Sequence, residues 1–360
     1  MNDFVVIGGG IAGVSAGARL SHLGRVVVLE AEAGLGYHTS GRSAALYEES
    51  YGKPTTIALN KASKAYFQTA NGGVLSPRGL LLVGRAEDAD AFAEDLATMA
   101  MDQISVDEAR AMMPILDPGA VTLAAYHGEA WDIDTDRLIQ NFAREVRQNG
   151  GEVLTNQRVR SIVRSGDGWV VTTSAGTFEA RMLVNAAGSW VDEVAEMAGI
   201  AKIGFTPLRR SMARIPAPGG HDVSGWPMTF GTGETWYCKP DAGKLIVSPA
   251  EEDPSHPHDA WPDDMVLAEG LARYEEFVTE AVTRLESSWA GLRTFAPDRA
   301  LVLGPDADDP SFVWVAGQGG YGFQTSPAAS QLVADLVAGR PPELAPDIVA
   351  GLSPRRFRAG

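Results

Sequence analysis

The chain has 360 residues, 45% hydrophobic and 21% charged, with a formal net charge of −16, the profile of a globular protein long enough for two domains of ordinary size. That charge excludes the basic face that nucleic acids require, no apolar run reaches the length of a membrane-spanning helix, and the lone Cys238 excludes an internal disulfide and suits a reducing cytoplasm. The apolar start lacks the basic residues of a secretory leader, so a cytoplasmic location is expected.

The chain opens on a strand ending at Ile7. The glycine turn Gly8-Gly9-Gly10-Ile11-Ala12-Gly13 follows, then a small-residue helix through Leu20 and a buried strand over 25–29 that ends in Glu30. This is a complete βαβ dinucleotide fingerprint. Gly8 permits the tight turn, Gly10 lets the backbone approach a pyrophosphate, and Gly13 lets the helix pack on the strand. The helix N-terminus offers free N–H groups and partial positive charge to phosphates. Glu30, 22 residues after Gly8, accepts hydrogen bonds from a ribose diol and repels a 2′-phosphate, which disfavours NADP.

Phe92, Leu96 and Met99 predict an amphipathic helix. Ser105 and Glu108 form a capping box before a helix over 109–113 that Pro114 stops. The aspartates of 131–136 lack the glycine and the terminal glutamate of a calcium loop. They read as an N-cap, at Asp134 or Thr135, for a helix over 137–148. Residues 160–163 and 169–173 flank Ser165-Gly-Asp-Gly168 as a hairpin. Residues 182–187 read as a fully buried strand ended by Gly188. Leu267, Leu271, Tyr274, Val278, Val282 and Leu285 keep helical spacing and predict one long helix. Residues 312–316 read as a buried strand entering the glycine loop 317–322. Ser326 and Pro327 then read as the cap and first position of a final helix. Nucleotide-type segments therefore recur near 1–45, 150–190 and 310–340, with segments richer in Trp, Tyr and Pro between them. A discontinuous nucleotide domain, with a substrate domain built from its insertions, explains this best.

The N-terminal fingerprint, Thr39-Ser-Gly-Arg-Ser-Ala-Ala45, Leu183-Val-Asn-Ala-Ala-Gly188 and the loop 317–322 resemble the D-amino-acid oxidase superfamily of FAD enzymes. Further blocks, Gly36-Tyr-His, Trp226-Pro-Met, Lys239-Pro-Asp-Ala-Gly243, Trp289-Ala-Gly-Leu-Arg293 and Gln318-Gly-Gly-Tyr-Gly322, are similar to bacterial D-arginine dehydrogenases over nearly the whole chain. The resemblance implies an α/β fold with α+β insertions. A Rossmann-like FAD-binding domain would comprise 1–45, 135–205 and 300–360. A substrate domain on a mixed or antiparallel sheet would comprise 46–134 and 206–299.

The resemblance also implies non-covalent FAD, because 291–297 lacks the cysteine by which sarcosine oxidases attach flavin. Adenosine would lie along Glu30 and Ala31 and near Val159. The pyrophosphate would lie over Gly8, Gly10, Ile11, Ala12 and Gly13, beside the strand end Ala186, Ala187 and Gly188. The isoalloxazine would sit between Thr39, Gly41, Arg42, Ser43 and Ala44 on one side and Gly319, Gly320, Tyr321, Gly322 and Gln324 on the other. Arg293 would clamp a substrate carboxylate, since a guanidinium holds one in bidentate fashion. Tyr237 would add a second hydrogen bond, Arg210 and Tyr51 match further active-site positions, and the Gly320 carbonyl would hold the amine.

No histidine stands out as a base: His256 and His258 fall in a Pro- and Asp-rich loop, and His38 lies beside the flavin segment. No metal site is read. The implied reaction is oxidative deamination of a free amino acid to imino acid, then 2-oxo acid and ammonia, with oxygen or a quinone as final acceptor. Leu46, Leu80, Tyr51 and Tyr321 would line the substrate pocket. Leu80 stands where D-arginine dehydrogenases carry a glutamate, and Leu46 replaces a histidine. Neutral, apolar D-amino acids are therefore expected over D-arginine, unless Glu48 or Glu49 turns inward. Oxidation of glycine, sarcosine or D-proline, a non-catalytic binding protein and an NAD-linked dehydrogenase are the competing readings.

Overall fold

In the computed structural model, which describes residues 1–358, the strand Asn2–Ile7 lies at the centre of a mixed sheet. Val26–Leu29 and then Glu152–Leu154 run parallel on one side, and Thr177–Asn185 and then Phe312–Ala316 on the other. Val302–Pro305 closes that edge in antiparallel pairing. The expected hairpin, Val159–Ser165 with Gly168–Thr173, pairs onto the first half of Thr177–Asn185.

The apolar runs here are continuous because the sheet is covered on both faces. Phe4 and Val6 pack with Val14, Leu138 and Phe142, residues of the helices Ile11–Leu20 and Thr135–Gln148, and with Leu332 of Gly322–Ala338. Val5 and Ile7, one position out of step, pack instead with Trp169, Leu183, Phe312 and Trp314. Parallel pairing brings the carboxyl ends of these strands to one edge, where ligand crevices form in such sheets.

A second sheet of nine strands runs, in order, 253–254, 206–215, 244–248, 237–241, 228–231, 80–84, 123–127 and 102–104, with Ser287–Phe295 antiparallel to Thr206–Ile215. Met228–Gly231 and Leu80–Gly84 form its parallel pair. Alternation divides its side chains. Leu80, Leu82, Met212, Phe230 and Tyr237 cluster on one face, while Leu81, Val83, Trp236, Cys238 and Val247 cluster on the other. A small sheet joins Leu46–Glu48, Ala130–Ile133 and Leu75–Pro77. No helix among the described residues is long and apolar enough to cross a membrane.

Three expected elements change. The helix expected over 267–285 is Asp264–Glu275. Beyond it the chain pairs with a distant segment: the Thr279 N–H donates to the Ile115 carbonyl at 2.8 Å and the Asp117 N–H to that of Phe277 at 3.0 Å. The spacing of Tyr274, Val278 and Val282 serves the same cluster, partly from a non-helical segment. The last helix starts at Gly322, so Pro327 lies inside it. Proline has no N–H for the Phe323 carbonyl, and the Ser326 hydroxyl donates there at 2.9 Å. The strand expected over 182–187 spans Thr177–Asn185, because its first half pairs with the hairpin. The Ser105–Glu108 capping box forms, and Asp134 accepts the Arg137 N–H at 3.0 Å, which makes Asp134 the cap.

Candidate active site

Two cavities share Arg293, Thr39, Ser43, Gly320 and Phe323. The first is a groove along the carboxyl ends of the parallel strands. Gly8, Gly10, Ile11, Ala12, Glu30, Ala31, Val159, Ala186, Ala187, Gly188, Gly319 and Gly322 line it. Gly8 has φ +112°, and a Cβ there would overlap the Ala186 carbonyl oxygen; only glycine lets the turn pass under that strand end. Gly13 lies outside the groove, where a Cβ would overlap the Gly8 carbonyl and push the helix off the strand. Glu30 is fixed at the groove by the backbone, accepting the Gly9 N–H at 2.7 Å and the Glu32 N–H at 2.9 Å. His38 also lines the groove, its ring 4.8 Å from that of Trp190. A backbone cradle at a helix N-terminus, with a carboxylate at the second strand end, fits the adenosine diphosphate half of FAD.

The segment 39–46 separates the groove from the second cavity, and the strand Ser287–Phe295 holds it. The Thr39 hydroxyl donates to the Leu292 carbonyl at 2.9 Å and accepts the Leu292 N–H at 3.2 Å. The Trp289 indole donates to the Arg42 carbonyl at 3.1 Å. Arg42, expected beside the flavin, turns its guanidinium to the Ala290 carbonyl at 2.8 Å, the Ala260 carbonyl at 3.0 Å and Asp259. Its place at the cavity wall is kept while its charge anchors the loop. Gly41 lies outside both cavities, donating its N–H to the Gly36 carbonyl at 2.6 Å. The Lys239 ammonium donates to the Ala44 carbonyl and pairs with Asp132 at 2.7 Å.

The second cavity lies over one face of the nine-stranded sheet. Register places Arg210 opposite Gly291, Leu208 opposite Arg293, and Phe230 opposite Tyr237. Arg210, Met212, Met228, Phe230, Tyr237, Arg293 and Leu80 then line the cavity together, and Leu46, Tyr51, Gly320 and Gln324 complete the opposite wall.

The Arg293 guanidinium lies on Gly320, where a Cβ would meet its Cζ and Nε at 2.9 Å. Burial disfavours its charge, but Tyr51, Tyr237, Glu234 and Tyr321 outweigh that and raise its pKa above the usual arginine value. They act through space, and no ion pair among the described residues ties it down. Arg210 is nearly buried; its Nε donates to the Glu251 carbonyl at 2.9 Å, its Nη2 lies 3.5 Å from Glu252, and its Nη1 has no partner. The Tyr237 ring lies 5.9 Å from that guanidinium. Tyr51 donates its hydroxyl to Glu234 at 3.1 Å, and burial pushes its pKa far up, so it stays neutral. Tyr321, expected at the flavin and in the substrate pocket, lies outside the lining of both cavities, behind Tyr51, with the two rings 5.2 Å apart. Two cations and neutral phenols converging on one space suit an anionic head group.

Of the two glutamates flagged in the sequence, Glu49 pairs with Lys64 at 3.1 Å, while Glu48 is buried and lines the cavity. Sequence reasoning missed Glu234, Met99, Met212, Met228, Phe230 and Phe323. Met212 stands two residues from Arg210, and Met228 two from Phe230, so strand alternation would have found them once the register was known. Glu234 carries no such signal, because it ends a one-turn segment, Thr232–Glu234, in a left-handed conformation.

Residues 3–336 match the family model described as FAD dependent oxidoreductase (DAO). The glycine oxidase of Pseudomonas aeruginosa is 27% identical over 362 residues, covering 95% of this chain and 96% of its own. The hydrogen cyanide synthase subunit HcnC of the same organism is 28% identical over 226 residues, 61% of this chain, and the match spans only about half, 52%, of its length. Among solved structures, L-proline dehydrogenase from P. horikoshii superposes with a TM-score of 0.84 at 22% identity, covering 99% of this chain and 97% of that one. Glycine oxidase from Geobacillus kaustophilus gives 0.83 at 21% identity, covering 98% of each. These two show a shared fold.

Proposed function

Because the chain belongs to the FAD-dependent oxidoreductase family, we propose that it oxidises the Cα–N bond of a free D-amino acid, yielding an imino acid that water hydrolyses to a 2-oxo acid and ammonia. In this reading 1–45, 135–205 and 300–360 carry the cofactor, and 46–134 and 206–299 carry the substrate. FAD, when bound along the glycine groove, would supply the acceptor for the hydride, one hydrogen with its electron pair, that leaves Cα.

The observation that carries the reading is Arg293, a cation outside any ion pair among the described residues, lying on Gly320 where the groove meets the second cavity. It grips the carboxylate with two parallel hydrogen bonds, which fixes position and angle together. The Tyr237 hydroxyl and the free Nη1 of Arg210 add donors on the same side. The Gly320 carbonyl accepts from the amine, and with both ends held, Cα–H points at the groove in a near-attack geometry. Among the described residues no histidine lines the cavity, and in this reading water takes the amine proton.

Beyond the clamp, Leu46, Leu80, Met99, Met212, Met228 and Phe230 form an apolar, adaptable wall. A guanidinium pressed against that wall is costly to desolvate, which favours neutral side chains over D-arginine; Glu48 does turn to this cavity, but its Oε2 has His127 Nε2 at 3.4 Å as a neighbour already. The similarity to glycine oxidase supports a second reading, oxidation of glycine, sarcosine or a cyclic imino acid such as D-proline. The six apolar side chains that line the cavity with the clamp favour the first. Anaerobic mixing with D-Met, D-Leu, D-Phe, D-Arg, glycine, sarcosine and D-Pro, followed at the flavin absorption band, tests both. Bleaching is expected fastest with the apolar D-amino acids. A higher kcat/KM for D-Arg than for all of them refutes the side-chain preference, and no bleaching by any D-amino acid refutes the reaction.

A further inference from the structure

The block Lys239-Pro-Asp-Ala-Gly243 contains a lysine that the chemistry above does not use. Lys239 stands two residues from Tyr237, so it faces the same side of its sheet as that phenol, toward the second cavity. It is only 8% exposed. Its ammonium meets two acceptors, the Asp132 carboxylate at 2.7 Å and the carbonyl of Ala44, a residue of the cavity wall. The second oxygen of Asp132 takes the Arg78 guanidinium, Nε at 2.7 Å and Nη2 at 2.6 Å. Nη1 of Arg78 donates to the carbonyls of Ser224 at 2.7 Å and Trp226 at 2.8 Å. Two cations therefore share one carboxylate in a largely buried cluster. Asp241, the other carboxylate that acts on Lys239, pairs with Arg214 at 3.3 Å. The segment that Lys239 holds is itself constrained. Ala45 has φ +44°, a left-handed angle that alanine keeps only where its neighbours impose it. The peptide between Ala44 and Ala45 is tied at both ends, its carbonyl to Lys239 and its N–H to Ser43 Oγ at 3.1 Å. Register sets Asp132 opposite Leu46, and the Ile133 N–H donates to the Ala45 carbonyl at 3.2 Å.

We propose that Lys239 is a positioning residue for the flavin: through the Ala44 carbonyl it fixes the peptide that walls the ring, and the net positive charge of its cluster with Arg78 and Asp132 favours the reduced ring over the oxidised one. This rests on the reading that the ring lies along 39–44. Reduction by two electrons and one proton leaves the ring with one negative charge. A cation already fixed behind the wall stabilises that charge through a medium of low dielectric, with no reorganisation at the moment of reduction. Burial draws the Lys239 pKa down, and the Asp132 carboxylate opposes it. A net charge kept away from water is costly to the fold, and an anion forming in the neighbouring space accounts for its presence.

The test uses the FAD-loaded protein and reads the midpoint potential of its flavin against a reference dye under nitrogen. It needs no substrate, so it stands apart from which amine is oxidised. Lys239→Met removes the charge and the donor together. It is expected to weaken the preference for reduced flavin about tenfold, which lowers the two-electron potential by about 30 mV, and to raise the FAD dissociation constant about tenfold. Trp289→Phe is the control, because it removes the indole bond to the Arg42 carbonyl and loosens the same segment without changing charge. Its FAD affinity is expected to fall while its potential stays within about threefold of wild type, about 15 mV. Arg78→Met leaves Lys239 and Asp132 as a neutral pair and is expected to lower the potential in the same sense; it carries the test should Lys239→Met fail to hold FAD. The proposal is overturned if Lys239→Met, or Arg78→Met in its stead, keeps the wild-type potential. It is overturned equally if Trp289→Phe lowers the potential as far, since the lysine would then act on packing alone. If neither Lys239→Met nor Trp289→Phe changes FAD affinity, the placement of the ring along 39–44 falls, and this proposal with it.

Discussion

Replacing Arg293 with methionine separates a ligand clamp from a structural ion pair. The stem of the side chain packs on Gly320, and methionine keeps most of that contact. No carboxylate is orphaned by the change, because Glu234 retains the Tyr51 hydroxyl at 3.1 Å. Stability should therefore move by no more than about 1 kcal/mol, against about 3–5 kcal/mol for breaking a buried pair. Binding is another matter. A bidentate carboxylate loses two charge-assisted hydrogen bonds of about 1.5–3 kcal/mol each. The sum, about 3–6 kcal/mol, weakens the complex by roughly 10²–10⁴-fold, and the neighbouring Arg210 holds the loss toward the lower figure. Arg293→Lys keeps the charge without the fork and should lose roughly 10–100-fold. Dissociation constants come from anaerobic titration of the flavin band, and thermal midpoints from calorimetry of the same preparations. A Kd within threefold of wild type refutes the clamp. So does a variant that retains its flavin but melts with the stability loss of a broken buried pair, because Arg293 would then be holding the fold rather than the ligand.

Gly8→Ala should purify colourless, with FAD affinity reduced by roughly 100-fold or more, since the new Cβ overlaps the Ala186 carbonyl at a backbone angle that disfavours side chains; fluorescence of flavin released per mole of protein measures it, and a normal yield sinks the groove assignment. Leu80→Glu should raise kcat/KM for D-Arg by about tenfold or more and lower it for D-Leu, because it sets an acid into the apolar wall; unchanged steady-state ratios would place the side chain elsewhere. Cys238 lies on the back face of its sheet and burial pushes its thiol pKa up, so iodoacetamide at pH 8 should label native protein at less than about one-hundredth of the rate for unfolded protein; equal labelling by mass spectrometry contradicts that placement.

By itself the amino-acid sequence determined the elements whose causes lie within a few dozen residues. The glycine turn with Glu30, the Ser105–Glu108 capping box and the Val159–Ser165 hairpin all form as expected, because each is a local balance of turn geometry, capping and alternation. Arg293 and Tyr237 were legible only through family resemblance, since nothing within a strand tells a clamp from a buried ion pair. Tertiary structure decided the rest. Strand register chose which of Arg210, Ser211 and Met212 face the cavity, and it carried Cys238 to the opposite face from Tyr237. Pairing of Val278 with Leu116 stopped a helix that the spacing alone would have continued to Leu285. The partner of Arg42 and the inward turn of Glu48 likewise depend on residues far away in the chain. Local pattern states what a segment prefers; which face it buries and which charge it meets follow from contacts that form only when distant strands pair.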